Sequence, residues 1–211
     1  MSKNLNNLQL YKFIISLFSI VSIILNQEKL NFSAQNLETI NTDIENKRIF
    51  KSNVNISKNN LTLYSDLATH YPDSFKVYLS GNIRMYYNND SLFCDSLILY
   101  DKKLNKFNAS GNIRFFKGSQ NINSDKLFYT TLDSLNNVLI EIIDDVEIRD
   151  SMRVITGDTL YVNYQDSIIK DILIKKNAKI YNSRYAKIDT TDKKQIFQDI
   201  LEGKKIFLDF K

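Results

Sequence analysis

The residues best equipped for chemistry are few. His70 is the only histidine and Cys94 the only cysteine of the 211 residues. Histidine-based acid–base catalysis therefore has a single candidate, and an intramolecular disulfide or a cysteine-based zinc site has none. With no second histidine at ligand spacing, His70 reads as an ordinary surface or strand histidine, and Cys94 as a small buried hydrophobe. The aspartates form a pattern instead. Asp66, Asp95, Asp125 and Asp158 follow Val54, Ile83, Ile113 and Val146, in each case by 12 positions. Such a ladder of carboxylates could hold calcium, but no Asp-x-Asp-x-Asp-Gly loop accompanies it. The preferred reading is structural, each Asp standing at a strand start and bonding local backbone amides. Gly-x-Ser-x-Gly, His-Glu-x-x-His and glycine-rich phosphate loops are absent. No enzymatic activity, cofactor or metal is expected.

The elements that position this ladder repeat with it. A small or polar pair precedes each β-branched residue: Ser52-Asn53, Gly81-Asn82, Gly111-Asn112 and Asp144-Asp145. The steps between blocks are 29, 30 and 33 residues, so length varies only after the Asp. A degenerate fifth block begins at Lys176-Asn177-Ala178, with Thr190 in the place of the Asp. Within blocks, apolar residues alternate. Phe75, Val77, Leu79, Gly81, Ile83, Met85 and Tyr87 share one parity. So do Phe107, Ala109, Gly111, Ile113 and Phe115, and then Ile140, Ile142, Asp144, Val146 and Ile148. A period of two over this length specifies a long strand with one buried face, and the internal Gly allows it to bend. The block at Asp144-Asp145 has no glycine for such a bend. The following strand reads in one phase from its Asp: Asp95, Leu97 and Leu99; Asp125, Leu127 and Tyr129; Asp158, Leu160 and Val162.

Turn residues fall where this reading needs them. One set, Lys58-Asn59-Asn60, Asn88-Asn89-Asp90, Lys117-Gly118-Ser119 and Asp150-Ser151, separates the two strands of a block. The other, Pro72-Asp73-Ser74, Asp101-Lys102-Lys103, Asp133-Ser134 and Gln165-Asp166-Ser167, closes it. Connections this short favour antiparallel hairpins, about eleven or twelve strands in all, and an all-β fold.

The net charge of +4 arises from lysine and acidic residues mixed along the chain, with no basic face, so nucleic acid is not an expected partner. Near the start, Lys3 and Lys12 precede a largely apolar, uncharged run from Phe13 to Leu25. That suits the core of a signal peptide, since a spanning helix needs roughly 20 apolar residues. Cleavage is expected after Ala34, with an uncleaved signal anchor as the alternative. The expected organisation is a signal peptide or anchor over 1–34, a linker over 35–45 and a repeat domain over 46–211.

The recurring Gly81-Asn82-Ile83 with Asp95-Ser96-Leu97, and Gly111-Asn112-Ile113 with Asp125-Lys126-Leu127, resembles the repeat of the OstA-like, or LptA, family. Gly157-Asp158-Thr159-Leu160-Tyr161 is similar, as is the stretch from Gly203 to Phe210, where Lys204 replaces the Asp. The resemblance implies an open, V-shaped antiparallel β-jellyroll in the periplasm that carries lipopolysaccharide from the inner to the outer membrane. Lipid A acyl chains would lie along Val77, Leu79, Ile83, Met85, Leu97, Leu99, Phe107, Ile113, Phe115, Leu127, Tyr129, Ile140, Ile142, Val146, Ile148, Leu160 and Val162. Gly81, Asp95, Gly111, Asp125 and Asp158 would be structural. The partners implied are homologous β-jellyroll domains of the inner-membrane clamp and the outer-membrane translocon, with head-to-tail self-association through the last strand and a first strand near Lys47 to Ile56. Two alternatives stand beside this: a membrane-tethered clamp subunit of the same system, and a β-repeat scaffold or adhesin that binds no lipid. The stripe by itself reads equally as a packed core, because any β-sandwich shows one.

Overall fold

The computed structural model describes residues 30–42, 46–100, 106–131, 137–165, 168–187 and 194–209. Twelve strands run in chain order: β1 (Asn31–Ser33), β2 (Asn36–Asn41), β3 (Asn46–Lys58), β4 (Leu61–Tyr71), β5 (Lys76–Tyr87), β6 (Asp90–Tyr100), β7 (Lys106–Lys117), β8 (Gln120–Thr131), β9 (Val138–Arg149), β10 (Arg153–Gln165), β11 (Ile168–Lys187) and β12 (Lys194–Asp209). From β3 onward each pairs antiparallel with its neighbours in sequence, as two-residue turns at Asn59-Asn60, Asn88-Asn89 and Gly118-Ser119 require. β1 and β2 both pair with β3. β12 pairs with β11 and not with the first strands, so the sheet is open. The expected turns at Asp101-Lys102-Lys103, Asp133-Ser134 and Asp166-Ser167 lie outside the described residues. Phe75, expected inside a strand, occupies the turn before β5 with a positive φ of 53°.

A single sheet leaves one face uncovered unless it folds over. Val77, Leu97, Ile142 and Val162 are nonetheless 0% exposed, with no helix among the described residues to cover them. The sheet therefore covers itself, each long strand turning a corner so that its two halves face one another across one apolar cluster. The corners are visible in the backbone. Two consecutive residues take the left-handed conformation in every block: Ser52-Asn53, Gly81-Asn82, Gly111-Asn112, Asp144-Asp145 and Lys176-Asn177. At each pair the register slips by one residue, as between Ser80 and Ile83 against Ser96 and Cys94. An extra residue bends its strand, and positive φ is least costly for Gly and Asn, which occupy six of these ten positions. The corner at Asp144-Asp145 forms without glycine, with φ of 64° and 49°, contrary to the sequence expectation.

Two further expectations are corrected. The Asp-bearing strands do not keep one phase: Leu92 and Cys94 are buried, then Leu97 and Leu99, with the parity switching at Asp95, which is exposed. The stretch 35–45, expected as a linker, carries β2, whose residues Asn36 to Asn41 pair with Lys51 to Asn46. β3 is therefore flanked on both sides and is not the free first edge expected near Lys47 to Ile56.

Candidate functional site

The structure brings all of the stripe residues together. Val77, Leu79, Ile83, Met85, Leu97, Leu99, Phe107, Ile113, Phe115, Leu127, Tyr129, Ile140, Ile142, Val146, Ile148, Leu160 and Val162 belong to one buried cluster, none of them more than 7% exposed. The cluster runs without a break from β3 to β12. Phe107 and Tyr129 stack within it, ring centroids 5.7 Å apart. Sequence reasoning placed Cys94 in the interior but missed the rest of the half of the cluster contributed ahead of each Asp: Leu61 and Leu63, Leu92, Ile122 and Ile155. The signal was present as a second alternating pair out of phase with the first, and the parity switch at the corner concealed it. Among the described residues the buried polar ones are Lys58, Ser65 and Ser124. Ser65 donates to the Leu67 carbonyl at 3.1 Å. The cluster is otherwise apolar, held by dispersion contacts that need no directional partner.

The aspartates do not stand at strand starts and do not bond local amides. They lie mid-strand on the outer side of the corner, where Asp66, Asp95 and Asp158 each accept a hydrogen bond from the asparagine of the next block. Asn82 Nδ2 donates to Asp66 at 2.8 Å, Asn112 to Asp95 at 2.8 Å, and Asn177 to Asp158 at 3.0 Å. Gly81 and Gly111 are glycines for a second reason: a Cβ on Gly81 would lie 2.5 Å from Asp66 Oδ2, and Gly111 meets Asp95 in the same way. Asp66 and Asp95 thus each pack over one glycine and tie down one asparagine of the following block. Where the asparagine is replaced by Asp145, its neighbour Asp144 pairs instead with Lys126 at 2.7 Å, and this pairing raises the lysine above its ordinary value. Among the described residues no group of His, Cys, Asp or Glu is arranged to hold a metal ion.

Clefts of about 580 and 470 Å³ open along the corner, one beside Asp95, Asn112, Asn123 and Asp145, the other beside Asp66, Asn82, Arg84 and Phe93. Their charged and amide linings suit no acyl chain. Cys94 faces inward, and burial, with Asp95 adding to it, pushes its thiol up to about 12. A thiol held neutral in this way is no nucleophile.

With this geometry in place, the comparisons have a definite object. A family model for OstA-like proteins matches residues 75–200, which is more than half of the chain and takes in four of the five corners. The chain belongs to the OstA-like family. No curated protein matches it. Among solved structures it is similar to LptH from Pseudomonas aeruginosa, the LptA-homologous periplasmic component of a lipopolysaccharide transport device. That likeness has 10% identity and a TM-score of 0.28, and covers 82% of this chain and 94% of the other. A superposition this weak leaves the family match as the deciding observation.

Proposed function

We propose that this OstA-like chain is a non-enzymatic periplasmic carrier. It holds the acyl chains of lipopolysaccharide between the two halves of its bent sheet and passes them from the inner towards the outer membrane. The observation that supports this most is the interior itself: an apolar surface continuous across ten strands, enclosed by a sheet that no strand closes. The stripe from Val77 to Val162 would contact the acyl chains. In the closed state those side chains contact one another, so loading requires the halves to part. Parting them is thermodynamically mild if acyl chains take their place, since one set of apolar contacts replaces another and little apolar surface meets water. The halves are joined through the corners, and the lone cysteine provides no disulfide to hold them together. Homologous β-jellyroll domains of the clamp and translocon would dock at the two ends of the sheet by strand addition.

One observation favours a second reading, a scaffold that binds no lipid: Ile56, Leu63, Ile83, Leu97 and Ile142 are almost wholly inaccessible, as in an ordinary packed core. Photo-crosslinking separates the two. A crosslinking amino acid at Phe115 or Leu127 should capture lipopolysaccharide in cells, whereas one at exposed Asn82 should not. Absence of capture from either interior position, in protein that remains folded, would favour the scaffold.

A further inference from the structure

We infer that the segment from Leu30 to Ala34 stays in the exported protein as part of its first strand, so that the leader is not removed after Ala34. The sequence motivates a cut there, because Ala34 is a small residue following an apolar run. The fold gives the same residues another role. Leu30, Phe32 and Ala34 face the apolar cluster and are partly buried, whereas Asn31 and Ser33 are exposed. This is the period-two pattern of a strand with one buried face, which a cleavage region has no reason to carry. The ladder agrees with it. Asn31, Phe32 and Ser33 pair with Ser57, Ile56 and Asn55, and Gln35 N donates to Ser52 O at 3.0 Å, beside the first left-handed pair. β2 continues the pairing over Asn46 to Lys51 on the far side of that corner. β1 and β2 together therefore form one bent strand, laid along both halves of β3 as β4 is on its other side.

Cutting after Ala34 would remove half of that strand. Phe32 stacks on Phe50 with centroids 4.8 Å apart and on His70 at 5.2 Å, the rings within 17° and 15° of parallel. Without Phe32, Phe50 would lose the ring that covers it at the end of the cluster, and the second half of β3 would present an unpaired edge. Retention also decides which strand receives a neighbour. A docking chain at this end adds outside β1 and β2, where Leu37 is 61% exposed, and not onto β3. The inference holds whether or not the interior carries lipid, so it stands or falls apart from the proposed cargo.

Expression of the full chain with export in its own cellular setting, followed by intact mass and N-terminal sequencing of the folded protein, tests it directly. A chain beginning at or before Leu30, including one that retains Met1, is the expected result; a chain beginning at Gln35 overturns the inference. Substitution provides an independent readout. Phe32→Asp should lower the melting temperature of the exported protein by about 5 °C or more, and Asn31→Asp, at an outward position of the same strand, should hardly move it. Equal melting of the two variants would overturn the inference even if the N-terminus were heterogeneous.

Discussion

Replacing Gly81 with alanine tests the account of the corner at its narrowest point. Gly81 has φ of +76°, a conformation that costs a residue with a Cβ about 1–2 kcal/mol. The new methyl would also lie 2.5 Å from Asp66 Oδ2, so the carboxylate must move and its hydrogen bond to Asn82 is lost or weakened. That bond is exposed and contributes about 1 kcal/mol. The sum is about 2–3 kcal/mol, which for a chain of this length lowers the melting temperature by about 5–10 °C. Gly118→Ala is the internal control, because Gly118 also has positive φ, +56°, but nothing lies within 4 Å of its added Cβ. It should show the backbone cost alone. In an Asp66→Ala background, Gly81→Ala should likewise fall to the backbone cost, leaving a coupling of about 1 kcal/mol between the two sites. Thermal unfolding followed by circular dichroism over the four-member cycle measures this. If Gly81→Ala cost no more than Gly118→Ala, or if removing Asp66 brought no relief, the idea that the Asp of one block packs over the glycine of the next would be wrong.

Two other outcomes follow from the same geometry. The folded state keeps the Cys94 thiol protonated up to about pH 12, whereas an unfolded thiol ionises near its ordinary value of 9.0. Stability from this group is therefore complete below that ordinary value and is lost as pH rises through the window above it. Native protein at pH 9 should resist a thiol reagent that labels the denatured chain at once, and prompt native labelling would show the thiol to be exposed. At the other end of the sheet, β12 leaves Ile200 and Leu201 56% and 52% exposed on an edge with no strand beyond it among the described residues. Ile200→Lys with Leu201→Glu should reduce concentration-dependent association in light scattering without lowering the melting temperature; unchanged association would place the contact elsewhere.

Much of this was legible in the chain before any coordinates. Alternation is a local property, fixed by the pleat, so residues such as Val77, Leu79, Ile83 and Met85 could be assigned to one face from their spacing alone, and all of them are buried. The turns at Asn59, Asn88 and Gly118 were equally legible, because positive φ selects Asn and Gly locally. The corner was not. Its position depends on Asp66 reaching Asn82, and Asp95 reaching Asn112, contacts 16 and 17 residues apart that exist only once neighbouring strands are in register. That register also reverses the phase of each Asp strand, which is why Leu92 could not be assigned to the interior beside Leu97 and Leu99. It imposes left-handed backbone on Asp144 and Asp145, where local preference alone would not have selected it. And it recruits Phe32, in a stretch that composition marks as leader, because only the assembled sheet places Phe50 and His70 where that ring can stack. Period and turn chemistry are written residue by residue, whereas a bent sheet that covers itself depends on pairs of residues that come together only in three dimensions.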